Sequence, residues 1–463
     1  MRNFAIRALF VLATCQLAAC AAIDPFNMLG RRNTLAPTTV STTPVSVPAG
    51  PGLAAADRAR AFDFVWGTIN DRYYDPNLNG VDWKAAREKF RPLALGAPDD
   101  DTFWDTLDRM TGELKDAHTR VESPKRAAQI ENNESISLGF SFVVLEGKLV
   151  VAGVNVDSDA FWAGVRSGMR IVKIGGEDAM AAFEKLKAGT RNDSTERSRH
   201  LRAVRRLTAG EIDSKVAFTF ERADGGTIDA TLRRRRLSTA ASAGSRTLPS
   251  GYGYVRLTQW TLGATSRMVE AMRDLKSAPG IIVDLRGNPG GSLHAVKAAL
   301  DEFFGKRTEL GRTLTRTGKP VSFLFGAVEV IELKSAVAGN DNAYKGPVIV
   351  LVNESSGSGS EYFAAAMQAT GRGTIVGQPT CGCLLGFLGY ASIPGGGELA
   401  YSEVGFEMAN GKRIEGEGVI PDTTVPVTLH DLQLNRDRAL EQAQSILAAV
   451  VPSVVPATVN AKQ

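Results

Sequence analysis

Charge of one sign is scarce in this chain of 463 residues: 54 lysines and arginines stand against 50 aspartates and glutamates, a formal net charge of +4. So small an excess excludes a protein that holds nucleic acid through counter-charge. The one basic run, Arg233-Arg234-Arg235-Arg236, follows the alternating residues 227–232 and reads as a solvated strand end. No G-K-[ST] or G-x-G-x-x-G segment is present, so even the glycine turn Gly287-Asn288-Pro289-Gly290-Gly291 gives little support to a nucleotide site. Histidine is down to four residues, His118, His200, His294 and His430, and cysteine to Cys15, Cys20, Cys381 and Cys383. Without clustered cysteine and histidine, no metal and no cofactor are expected.

What is present suits a globular protein of two or three domains, with 43% hydrophobic residues. The first 19 residues read as a signal peptide, with Arg2 and Arg7 ahead of a short apolar run over residues 8–14. That run is too short to span a bilayer. Leu17-Ala18-Ala19-Cys20 resembles the lipobox of bacterial lipoproteins, which implies lipidation of Cys20. Ala21 after it implies the outer membrane by the same resemblance, and the protein is expected to be exported, periplasmic and anchored there. Plain secretion is the alternative. Residues 20–53, rich in Pro, Thr and Ser, read as a tether.

Residues 54–125 carry a helical period. Phe62, Val65, Ile69 and Tyr73 share one face, Trp83, Ala86 and Phe90 a second, and Phe103, Leu107, Met110 and Leu114 a third, with Asp101 as a cap. Asp116-Ala117-His118-Thr119 follows the third helix. A lone histidine is by default a structural or surface residue, and His200 and His430 read as surface residues, but His118 at a helix end can be held by neighbours and stay accessible.

From 130 to 237 the pattern turns to strand alternation. The segments Leu138-Gly139-Phe140, Ala160-Phe161-Trp162-Ala163-Gly164, Gly168-Met169-Arg170-Ile171 and Ile174-Gly175-Gly176 resemble a PDZ domain, with Met169 where aspartate is usual. The resemblance implies a groove that adds a peptide as an extra strand, its carboxylate held at Leu138, Gly139 and Phe140. A small β-rich packing domain is the plainer reading.

Residues 245–430 read as an α/β core, and 431–463 as a C-terminal helix and tail. An apolar run, Val348-Ile349-Val350-Leu351-Val352, leads into Asn353-Glu354-Ser355-Ser356-Gly357-Ser358-Gly359-Ser360-Glu361, a buried strand, a tight turn and a helix start. A serine on such a turn sits beside free N–H groups that favour an oxyanion. On its own the stretch reads first as a capping loop with Ser360 as N-cap.

That stretch, Asp284-Leu285-Arg286-Gly287-Asn288-Pro289-Gly290-Gly291, Gly377-Gln378-Pro379-Thr380 and Glu415-Gly416-Glu417-Gly418-Val419-Ile420-Pro421-Asp422 occur in one order. With the PDZ-like segment and the N-terminal helices they resemble the C-terminal processing (tail-specific) serine peptidases, a family that includes the catalytic core of tricorn protease. The resemblance implies a multidomain α+β protein with a helical subdomain, a PDZ-like β domain and a crotonase/caseinolytic-protease-like core. It implies a serine endopeptidase acting on exported proteins or peptides through their C-terminal or unfolded segments. The nucleophile would be Ser358, with Ser355, Ser356 and Ser360 as rivals, and the oxyanion donors the N–H groups of Gly287 and Gly359.

The base is open. The family's usual lysine position holds Cys383, and no lysine lies between Lys345 and Lys412. As in the tricorn branch, His118 would be the base with Glu415 assisting. Alternatively a Cys383 thiolate takes the proton, or the chain is a degenerate peptidase that only binds peptide or acts as a scaffold. An acyl-thioester enzyme fits the core fold but leaves the PDZ-like segment without a task. Cys381 and Cys383 are expected to form a disulfide in an oxidising compartment, with a soft metal or two free thiols as alternatives.

Overall fold

The computed structural model describes residues 52–131, 135–208, 210–237, 241–323 and 328–451. The expected signal peptide, Cys20 and residues 20–51 of the tether lie outside them.

The N-terminal helices form where the period places them, at Ala55–Arg72, Trp83–Leu95 and Asp100–Thr111. Phe62, Val65, Ile69, Tyr73, Phe103, Leu107, Met110 and Leu114 are wholly shielded from solvent. The cap of the third helix is Asp99 rather than Asp101, its carboxylate accepting the Thr102 N–H at 2.7 Å. The chain is still extended at Asp99, and only there can a side chain reach back to the first free amides. The cluster is not closed by these helices alone. Ala391, Ile393, Leu399 and Tyr401 complete it, brought in by strand Arg120–Glu122 pairing antiparallel with Glu398–Ala400.

Residues 135–237 hold an antiparallel sheet ordered Phe140–Leu145, Lys148–Val154, Arg170–Ile174, Lys215–Glu221, Thr227–Arg233. Two helices, Ala179–Ala188 and Glu196–Thr208, accompany it. Leu138 and Phe140 are buried in this unit's core, Phe140 meeting Phe218 and Phe220 edge-on. Their side chains are therefore not available to meet a peptide. Gly139, at φ +85°, turns the chain between them, and its carbonyl accepts the Asn155 N–H and the Ser158 hydroxyl.

The core is a six-stranded sheet ordered Ala243–Thr247, Gly253–Leu257, Ile281–Asp284, Val348–Val352, Thr374–Gly377, Thr423–Thr424, parallel after its first pair. Alternate side chains serve opposite faces, as the strand period demands. Val255, Val283 and Val350 pack beneath helices Leu262–Asp274, Leu293–Asp301 and Gly359–Ala369. Ile282, Ile349 and Leu351 pack under helix Arg438–Val450. That last helix thus covers one face of the core sheet.

Candidate functional site

Strand Val348–Val352 is apolar on both faces and fully buried, so it fixes the start of the turn that follows. At the end of this turn Ser358 takes φ +51°, ψ −115°, a left-handed conformation that a side chain adopts only under constraint from its surroundings. The constraint is visible. A Cβ on Gly290 would come within 2.7 Å of Ser358 Cβ and 2.8 Å of the Gly359 nitrogen. Only a glycine at 290 lets the two turns touch.

The hydroxyls of Ser356 and Ser360 are engaged elsewhere. Ser356 Oγ donates to the Leu285 carbonyl at 2.9 Å, and Ser360 Oγ accepts from the Trp260 indole at 3.0 Å. Ser355 donates its N–H to Asn353 Oδ1 at 3.2 Å. The hydroxyl of Ser358 instead faces His118, whose Nε2 lies 3.1 Å from it across 240 residues of sequence.

The His118 loop is held from three sides. Asp116, wholly buried, accepts the His118 N–H at 2.8 Å, the Thr119 hydroxyl at 2.5 Å and the Ser402 hydroxyl at 2.7 Å. Ser194 Oγ accepts the Ala117 N–H at 2.8 Å. Arg191, buried, donates to the Asp116 carbonyl at 2.6 Å and the Thr119 carbonyl at 2.6 Å, and pairs with Asp108 at 3.1 Å. The imidazole is lowered from its ordinary value to about 4, chiefly because burial penalises the imidazolium; Asp116 opposes this and Arg120 adds to it. Its Nδ1 points inward and, among the described residues, has no hydrogen-bond partner.

Glu415 does not touch His118. Its carboxyl is buried behind the loop, with Ser194 and the Leu384 amide nearby but no bond of good geometry among the described residues. Burial, then the Asp116 charge, push it well above the usual carboxylate range. The two glycines expected to donate to an anion differ. Gly359 opens its helix, and its N–H belongs to the first turn, where no helical carbonyl can accept it. The Gly287 N–H is engaged by Asn353 Oδ1 at 2.9 Å, because φ +76° at Gly287 aims it there.

Cys383 stands beside the nucleophile turn in a disulfide with Cys381. Its sulfur therefore offers no thiolate to take a proton. Both sulfurs and the Glu361 carboxylate lie within 4.8 Å of one another, but a disulfide does not serve as a pair of thiolate ligands. Of the remaining histidines, His294 and His430 are exposed and His200 is half-buried, its ring 4.9 Å from Phe183.

The positioning roles of Glu361, Gly290 and Arg191 are what sequence reasoning passes over. The serine-x-x-glutamate spacing of a capping box was a usable signal for Glu361. The Gly290-Gly291 doublet was one for Gly290. Arg191 carries none, since an arginine in a polar loop is ordinarily solvated.

Comparison with known proteins adds an independent line. A profile of peptidase family S41 matches residues 251–425, and one of the tricorn protease C1 domain matches residues 54–112. A putative tricorn protease homolog 2 of Streptomyces coelicolor is 25% identical over 423 residues, covering 87% of this chain and 33% of that protein. A chloroplastic carboxyl-terminal-processing peptidase 3 of Arabidopsis thaliana is 27% identical over 343 residues, covering 68% of this chain and 59% of that one. The chain thus spans less than two thirds of the length of either relative. The solved photosystem II D1 C-terminal processing protease aligns with a TM-score of 0.54 at 23% identity, covering 82% of this chain and 97% of its own. That likeness is one of fold.

Proposed function

We propose that this chain, which belongs to peptidase family S41, is an active serine endopeptidase with Ser358 as nucleophile and His118 as general base. The observation that carries this reading is the 3.1 Å approach of His118 Nε2 to Ser358 Oγ. A serine hydroxyl is far too weak an acid to ionise alone, and an imidazole at that distance can take its proton as Oγ attacks a peptide carbonyl. The Gly359 N–H, backed by its helix dipole, stabilises the oxyanion that forms. His118 then returns the proton to the leaving amine, and water repeats the cycle on the acyl-enzyme. Asp116, whose charge favours the imidazolium, supports the ring, and Glu415, its own carboxyl held toward the neutral form, assists only through the loop that carries His118. The substrates are exported proteins or peptides, recruited through C-terminal or unfolded segments by the PDZ-like unit. The open edge of strand Phe140–Leu145, which begins beside Gly139, receives the peptide strand, because the Leu138 and Phe140 side chains are committed to the core. Export and a lipid anchor at Cys20 complete the reading.

An inactive peptide-binding protein of the same fold is the competing reading, and labelling separates the two. A fluorophosphonate probe is expected to label the folded wild type and to leave Ser358→Ala unlabelled, with cleavage of an unfolded protein substrate lost in parallel. Wild-type protein that is folded, binds peptide and takes no label would establish the binding module instead.

The depressed imidazole adds a pH signature. His118 is neutral, and so competent as a base, down to its lowered value of about 4, so kcat/KM is expected to hold well below pH 6 before falling. Stability moves the other way over the same range. Between the ordinary histidine value and about 4 the unfolded chain binds a proton that the native site refuses, so stability drops as pH falls. An acid limb centred at or above pH 6.5 in folded protein would refute the buried, neutral base.

A further inference from the structure

The Cys381–Cys383 disulfide lies where it can decide the geometry of the nucleophile turn, and its partners on both sides are defined. It closes around Gly382, whose φ of +74° lets the chain double back within one residue. On the inner side it is packed against Gly357, the residue before Ser358. A Cβ there would stand 3.2 Å from Cys383 Sγ and 3.5 Å from Cys381 Cβ. The Cys381 N–H donates to the Ser356 carbonyl at 3.0 Å. Both cysteines are buried.

Glu361 connects this loop to Ser358. The carboxylate is wholly shielded and accepts four hydrogen bonds: from the Thr380 hydroxyl at 2.6 Å, the Gly382 N–H at 2.7 Å, the Cys383 N–H at 3.0 Å and the Ser358 N–H at 2.9 Å. Burial pushes the Glu361 carboxyl up, and these four donors pull it back. Two of the four come from inside the disulfide loop. One comes from the nucleophile itself, through the Ser358 N–H. The outer side of the loop is gripped as well, Thr195 Oγ1 donating to the Cys381 carbonyl at 2.6 Å and Gly416 N–H to the Gly382 carbonyl at 2.9 Å.

We propose that the Cys381–Cys383 disulfide is a positioning element of the active site, and that its reduction lowers turnover by slackening the Glu361–Ser358 connection. A dithiol reductant supplies the two electrons. Its thiolate attacks one protein sulfur, the sulfur–sulfur bond breaks, and the second thiol resolves the mixed disulfide. Two protein thiols, carrying two protons, and the oxidised reductant remain. The freed sulfurs cannot stay at bonding distance, so they move apart within the packed space beside Gly357. The loop must shift, and with it the two amides that hold Glu361. A displacement of this kind at a nucleophile costs up to about a hundredfold in rate.

This inference rests on Ser358 being the nucleophile, and the experiment keeps the two apart. Labelling by a fluorophosphonate in the oxidised protein tests the nucleophile; the ratio between oxidised and reduced protein tests the disulfide. The full chain is treated with dithiothreitol. The redox state is read on the tryptic peptide 373–412, which carries both cysteines and gains two hydrogens on reduction. Complete reduction is expected to lower kcat and the labelling rate by about tenfold or more, with KM changed by less than about twofold. Reoxidation restores both. The double variant C381S/C383S is expected to behave like the reduced form and to ignore dithiothreitol. Unchanged kcat in fully reduced, folded protein would overturn the proposal. So would a loss that merely tracks the fraction unfolded, or two free thiols in the protein as isolated from an oxidising compartment.

Discussion

His118→Ala is expected to lower kcat by about 10⁴-fold while KM and the fold stay close to wild type. The size follows from what the ring does. With Nε2 removed from its 3.1 Å contact, Ser358 has no group among its described neighbours to take its proton. Cys383 cannot substitute, because its sulfur is bonded to that of Cys381. Stability should suffer little, since the ring carries a buried Nδ1 without a partner and removing it relieves that atom. Added imidazole can enter the space left by the side chain, so partial rescue that grows with pH through the titration of free imidazole is the specific readout. A variant that retains turnover within about tenfold would remove His118 from the mechanism.

Arg191→Ala is expected to destabilise the protein by about 3–5 kcal/mol, the usual result of deleting one partner of a buried charged pair. The Arg191 side chain is 1% exposed and its Asp108 partner 16%. Its fork also satisfies the Thr111 hydroxyl and two carbonyls that bracket His118. Chemical denaturation measures the loss. Arg191→Lys separates fold from catalysis. Lysine keeps the charge but presents its donors from one point and cannot span the Asp116 and Thr119 carbonyls together. Its kcat is expected to fall by about tenfold or more with a smaller stability change and little change in KM. Equal losses in both measurements would make Arg191 a structural residue only.

Much of this arrangement was legible in the chain itself. The helical period at Phe62, Val65 and Ile69 and the strand at residues 348–352 set the elements that carry the site, since their side chains are buried as the spacing requires. Ser358 could be picked out from the neighbouring serines by the family resemblance, which sets the nucleophile three residues before Glu361. The reach of His118 to it could be inferred only by resemblance, because no local pattern encodes a contact across 240 residues. Other features were illegible for the same reason. Strand Arg120–Glu122 is three residues long, too short for a periodic signal, yet its pairing with Glu398–Ala400 is what sets His118 beside the core. The partner of the Gly287 N–H was not legible, because sequence shows that a glycine can present its amide, not that Asn353 will accept it.

The Arg120–Glu122 and Glu398–Ala400 pairing also sets when the protein becomes capable of harm. During synthesis the histidine emerges early and the serine far later, and the cluster beneath the histidine loop is incomplete until Tyr401 has been made. Contacts so distant in sequence form late in folding, after the entropy of closing the intervening loop has been met. A chain that stops between Ser358 and Tyr401 therefore carries both reactive groups without an assembled pair. On the proposed mechanism, cleavage therefore waits until the chain has been made through Tyr401.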